Sequence, residues 1–134
     1  MNMKENNIMK ILIIDDDELN REILANILSD HGYDFTVAED GASGLAALKA
    51  DSALKIILLD RMMPGMDGMA FIEAVNADSA LGPTKIIMQT AANQPKDVLE
   101  GNASGVYYYL TKPFDEEIVL SIIRAAEEDL RLMG

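Results

Sequence analysis

The sequence contains no cysteine, no tryptophan and a single histidine, His31, among its 134 residues. Without cysteine there is no disulfide and no thiolate metal site, and a reducing cytoplasm is the expected setting. No apolar run is long enough to span a bilayer and the N-terminus has no apolar signal core, so no membrane association is expected. Aromatic residues make up only 5% of a chain that is 49% hydrophobic, so the core must come from Ile, Leu, Val, Ala and Met. Basic residues are scarce as well: 11 Lys and Arg face 23 Asp and Glu, a net charge of −12. That balance argues against direct binding of nucleic acid or anionic lipid, and favours cations or partners with basic or apolar surfaces.

Short apolar runs dominate what is present. Lys10–Ile14 (β1), Lys55–Asp60 (β3) and Lys85–Thr90 (β4) are each almost wholly apolar and bounded by turn residues, which reads as strands buried on both faces. Val106–Leu110 (β5) is similar, and Tyr33–Glu39 (β2) alternates less cleanly, as an edge strand does. Helical spacing separates them. It covers Leu19 to the stop at His31-Gly32 (α1), Ala42–Ala50 (α2), and the stretch from Asp67-Gly68 to near Leu81-Gly82-Pro83 (α3). It resumes from Pro95 to about Ser104 (α4) and from about Asp115 onward (α5). The α4 stretch, with Gly101 and Asn102, has the weakest helical propensity. His31 suits a negative helix end, a structural role. Residues 1–9 are expected to form a flexible tail and residues 10–134 one domain. Strictly alternating strands and helices require a doubly wound α/β fold with a parallel sheet of five strands.

Four strands are followed by polar groups: Asp15 and Asp16 after β1, Asp60 after β3, Thr90 after β4 and Lys112 after β5. A parallel sheet gathers these ends on one edge, where open α/β sheets place their ligands. Each has an ordinary alternative: a helix start, a turn former, a loop hydroxyl or a solvated lysine. Asp17 fits a helix N-cap. All four coinciding at matched strand ends favours a site. Like charges about 4 Å apart cost about 4 kcal/mol at an effective dielectric near 20. Three carboxylates therefore either raise a pKa or hold a cation. Oxygen ligands favour a hard ion, and an incomplete shell suits Mg²⁺. A carboxylate nucleophile, a divalent ion, an ammonium and a hydroxyl are the parts of phosphoryl transfer onto Asp60.

The stretches Ile11–Asp16, Leu58–Gly68, Thr90-Ala91 and Tyr109–Phe114 together resemble the response-regulator receiver domain, the CheY-like module of two-component signalling. The resemblance covers nearly the whole chain. It implies the flavodoxin-like strand order 2-1-3-4-5. It implies that Asp60 accepts a phosphoryl group from a phosphohistidine on a sensor histidine kinase or a histidine phosphotransfer protein. By the same resemblance Asp16, Asp60 and the backbone carbonyl of Met62 ligate Mg²⁺, and Asp15 acts through a metal-bound water. Lys112 pairs with one phosphoryl oxygen, Thr90 bonds another, and Ala91 leaves room for the group. The bond before Pro113 is cis. Thr90 and Tyr109 form a switch that alters the α4-β5-α5 face for a downstream protein, and dimerisation on phosphorylation is a further expectation. Such a chain is not a turnover enzyme but catalyses its own phosphorylation and dephosphorylation.

Two departures bear on lifetime. Met62 and Ala92 stand at positions that tune phosphoryl lifetime in the family, and neither side chain can orient an attacking water, so slow self-dephosphorylation is expected. Tyr107 and Tyr108 are bulky residues before the switch tyrosine and offer either a contact patch or strand packing. Met62, Met63, Met66 and Met69 are expected to pack rather than to bind a soft metal. Alternatives remain: a receiver cut from a longer regulator with a DNA-binding or cyclic-dinucleotide output, or a flavodoxin-like electron carrier. The carrier needs a phosphate-cradling loop after β1, and Asp15-Asp16-Asp17-Glu18 repels phosphate unless a cation intervenes. A dehalogenase-like phosphatase would want an acid where Met62 stands.

Overall fold

A computed structural model of the chain describes residues 9–61, 63, 65–91 and 106–133. The expected α4 and most of the expected tail lie outside these residues, as do Met62 and Ala92. The strands are β1 (Lys10–Ile14), β2 (Phe35–Ala38), β3 (Leu54–Asp60), β4 (Lys85–Ala91) and β5 (Tyr108–Lys112). The helices are α1 (Glu18–Asp30), α2 (Gly41–Ala50), α3 (Gly68–Ala77) and α5 (Glu116–Met133). All neighbouring strands pair in parallel, in the order β2-β1-β3-β4-β5. This is the doubly wound arrangement that the alternation of elements demands.

The apolar runs fill two cores. Ile11, Ile13, Ile56, Leu58, Ile87 and Leu110 face Leu24, Leu28, Val119 and Ile123 of α1 and α5. Leu12, Ile14, Ile57, Leu59 and Met88 face Leu48, Phe71 and Ile72 of α2 and α3. The parity of each strand thus assigns every residue to one face. α2 lies very close to the sheet, because a Cβ on Gly44 would run into the side chains of Ile14 and Phe71.

Acids start the helices. Asp17, Asp40 and Asp67 cap α1, α2 and α3, accepting from the backbone N–H of Leu19, Ser43 and Ala70. Asp115 accepts from Glu117 and Ile118 at the head of α5. Part of the acidic composition is therefore capping chemistry, where a carboxylate satisfies orphan donors at the positive end of a helix.

Two boundaries differ from the sequence expectation. α3 stops at Ala77 rather than near Leu81, because the Asp78 side chain accepts from Ala80 N and turns the chain. β5 starts at Tyr108 and runs through Lys112, since its ladder pairs Ile87 to Ala91 with Tyr108 to Lys112. Lys112 is thereby held on a strand instead of in a loop. Tyr107 still donates its N–H to Ile86 O.

Candidate functional site

Strand order reverses between β1 and β3, and the crevice beyond their C-terminal ends is where this class of sheet binds ligands. Asp15 follows β1 and is fully buried; Asp16 beside it is exposed; Asp60 ends β3 at 5% exposure. One carboxylate oxygen from each of the three lies within 4.8 Å of the others. Lys112 reaches in from β5, with Nζ 3.3 Å from Asp60 Oδ1 and 3.8 Å from Asp15 Oδ2. Three negative charges therefore share one ammonium among the described residues.

The local chain fixes Asp15 from two sides. Its Oδ1 accepts from Asp17 N at 2.9 Å, and its carbonyl accepts from Arg21 Nη1 at 2.7 Å. Its Oδ2 is buried and accepts no hydrogen bond. A buried carboxylate oxygen left over in this way is costly, and a cation is the natural partner for it. The residues therefore fit a hard divalent ion: oxygen donors, excess negative charge and an oxygen still to be satisfied. Mg²⁺, when bound there, would supply positive charge against phosphoryl oxygens.

Thr90 stands near the C-terminal end of β4 at 3% exposure, on the strand next to Asp60. Tyr109 is half-buried and packs against the α2/α3 core. The Lys112–Pro113 peptide is cis. Ala91 is the last residue of β4, opposite Lys112. The methionines Met63, Met66 and Met69 belong to the α2/α3 core or pack against it, away from any soft-metal role.

The tyrosine pair divides. Tyr107 is tied down: its hydroxyl donates to Asp129, Lys85 Nζ sits 5.1 Å from its ring centroid, and the Asp129 bond pushes its pKa up to about 12. Tyr108 is 55% exposed. His31 closes α1, and its Nε2 lies 2.9 Å from Glu116 Oε2.

Three contributors escaped the sequence reading. Arg21 reaches back to the Asp15 carbonyl, a contact with no local signature. Gly68 sits so close that a Cβ would fall 3.1 Å from Arg61 Cα and from the Asp60 carbonyl oxygen. Gln89 is fully buried beside Asp60, and neither amide atom has a hydrogen-bond partner. Its signal was visible as a polar residue inside an apolar run.

Known proteins share the sequence pattern and the fold. Residues 11–124 match the model of the response regulator receiver domain. The DNA-binding dual master transcriptional regulator RpaA of Synechocystis is 38% identical over 116 residues, which cover 87% of this chain and 48% of RpaA. The chain thus spans about half of that relative. It is 33% identical to Protein PilH of Pseudomonas aeruginosa, with 87% of this chain and 95% of PilH covered. The solved chemotaxis protein CheY4 of Vibrio cholerae superposes with a TM-score of 0.82 at 33% identity, over 89% of this chain and 98% of CheY4. A match running from β1 into α5, on a sheet whose reversal point carries the acids and the lysine, shows that this chain belongs to the response regulator receiver domain family of two-component systems.

Proposed function

We propose that this receiver, taken as residues 10–134, is a phosphoacceptor and that Asp60 is the residue phosphorylated. The observation that carries the reading is the convergence of Asp15, Asp16 and Asp60 within 4.8 Å, with Lys112 3.3 Å from Asp60. An Asp60 oxygen attacks the phosphorus of a phosphohistidine. The O–P bond forms as the N–P bond breaks, and the electron pair leaves on the imidazole nitrogen, which takes up a proton. Asp16, Asp60 and the Met62 carbonyl would hold Mg²⁺, with Asp15 acting through a water, and the ion would supply positive charge against the phosphoryl oxygens. Lys112 meets one phosphoryl oxygen and Thr90 another, with Ala91 leaving space. Transfer is then mainly positioning and charge stabilisation.

Phosphorylation biases a two-state equilibrium read out through Thr90 and Tyr109 on the α4-β5-α5 face. A sensor histidine kinase or histidine phosphotransfer protein supplies the phosphoryl group in the cytoplasm, and a protein receives the signal. The receiver itself makes no nucleic-acid contact, given its charge of −12. It acts alone, as its match to nearly all of Protein PilH suggests, or as the receiver of a longer regulator, as its match to half of RpaA suggests. Among the described residues no helix is long and apolar enough to cross a membrane. Self-dephosphorylation is slow because Met62 and Ala92 cannot orient a water.

Incubation with Mg²⁺ and acetyl phosphate, followed by intact mass, tests the reading. Wild type gains one phosphoryl group and Asp60→Asn gains none. No gain in wild type, or an equal gain in the variant, overturns it.

A further inference from the structure

Lys112 stands on β5 and Asp60 on β3, and β4 lies between them. Their 3.3 Å contact therefore requires the lysine side chain to cross a whole strand, a span of about 10 Å between β5 and β3. The residue of β4 abreast of Asp60 is Gln89, and Gln89 is also abreast of Leu110 on β5. Residues abreast in a parallel sheet share a face. Leu110 belongs to the α1/α5 core, so Gln89, Asp60 and Lys112, two residues beyond Leu110, all occupy that face. Lys112 stands abreast of Ala91, so its side chain crosses β4 from the level of Ala91 to that of Gln89 to reach Asp60.

The Gln89 side chain is fully buried, and neither Oε1 nor Nε2 has a hydrogen-bond partner. A buried amide in that state costs free energy, while an apolar residue of the same shape would not. The lysine above it has donors to spare, for an ammonium carries three N–H groups. Asp60 and Asp15 now attract that ammonium as anions.

We propose that Gln89 is a positioning residue that acts through Lys112, with Oε1 accepting from the ammonium once the Asp60 carboxylate has been phosphorylated. This rests on the phosphoacceptor reading of Asp60. Phosphorylation turns the Asp60 carboxylate into an acyl phosphate, so one anion that held the ammonium moves outward with the phosphoryl group. The lysine must then be held from below while it meets the phosphoryl oxygen. Gln89 is the polar group on its path, and its acceptor is unused in the resting arrangement.

The test combines a spectroscopic signature with a double-mutant cycle. The sequence has only two glutamines, Gln89 and Gln94, so the side-chain amide resonances of uniformly ¹⁵N-labelled protein are assigned with Gln89→Met. On adding Mg²⁺ and beryllofluoride, the Gln89 amide pair shifts in wild type and stays put in Lys112→Met. With acetyl phosphate, Gln89→Met takes up phosphoryl about tenfold more slowly, the scale of a hydrogen bond to a charged group. In the Lys112→Met background the same change has no further effect. An unmoved Gln89 amide while the Thr90 backbone resonance shifts overturns the proposal. So does equal slowing by Gln89→Met in both backgrounds, the mark of a purely structural role. If Gln89→Met does not fold, Gln94→Met assigns the remaining glutamine amide pair to Gln89, and its shift in wild type against Lys112→Met decides. Failure of wild type to respond to Mg²⁺ and phosphodonor at all is a different result, and it counts against Asp60 as phosphoacceptor.

Discussion

Replacing Lys112 by Met removes the ammonium that the acids share and keeps most of the side chain's apolar bulk. At 3.3 Å from Asp60 and 3.8 Å from Asp15, the lost attractions are about 5 and about 4 kcal/mol at an effective dielectric near 20. Desolvation of the ammonium offsets much of this. Removing one member of a buried ion pair costs about 3–5 kcal/mol in general. Lys112 is 29% exposed, so solvent screens part of the interaction and the expected loss is about 2–3 kcal/mol. Urea denaturation in Mg²⁺-free buffer measures it as a lower midpoint with an unchanged slope. The second half of the prediction is linkage. The variant's cluster has lost its internal cation, so it binds Mg²⁺ more tightly than wild type. A free ion concentration a hundredfold above Kd adds about 2.7 kcal/mol, and the tighter binder gains more. The deficit should therefore shrink to about 1 kcal/mol in Mg²⁺. A deficit below about 0.5 kcal/mol, the range of ordinary surface substitutions, would refute the reasoning. So would a deficit of the same size with and without the ion.

Gly68→Ala should cost about 1–3 kcal/mol, because the new Cβ meets backbone of Asp60 and Arg61 at 3.1 to 3.2 Å and backbone cannot yield as a side chain does. It should also slow phosphoryl uptake by displacing Asp60. A rise in urea midpoint, as Gly to Ala gives at an open helical site, would contradict this. Two phenols are held protonated in the fold. Burial, then the Glu127 charge, pushes Tyr33 up to about 12, and the hydrogen bond to Asp129 does the same for Tyr107. Their raised pKa stabilises the fold fully below the unfolded value of 10.0, and that contribution fades as pH rises towards about 12. Ultraviolet titration should show Tyr33 and Tyr107 ionising late, and Tyr107→Phe should remove one late step; ionisation of all four tyrosines near the unfolded value would refute it.

The parallel, doubly wound sheet was legible because apolar runs alternate with stretches of helical spacing, whereas the order 2-1-3-4-5 followed only from the resemblance to receiver domains. Asp15, Asp16, Asp60 and Lys112 were legible because parity and strand ends bring them to one edge. Arg21 was not, since its contact with the Asp15 carbonyl depends on the pitch of α1 across the loop rather than on any pattern. Nor was the end of α3: the Asp78 turn competes locally with helix continuation, and apolar spacing up to Leu81 does not register that competition. Gln89 shows the converse. A lone polar residue in a buried run was on view in the sequence, but its place on the same face as Asp60 and Lys112 needed the strand register.

The central claim is that Asp60 becomes the phosphorylated residue, and chemical trapping tests it at the bond itself. Protein treated with Mg²⁺ and acetyl phosphate is reduced with borohydride, which converts an aspartyl phosphate to homoserine, and the peptides are sequenced by mass spectrometry. The account predicts homoserine at position 60 and aspartate retained at positions 15 and 16. Homoserine at either of those positions, or aspartate intact at all three, would contradict it.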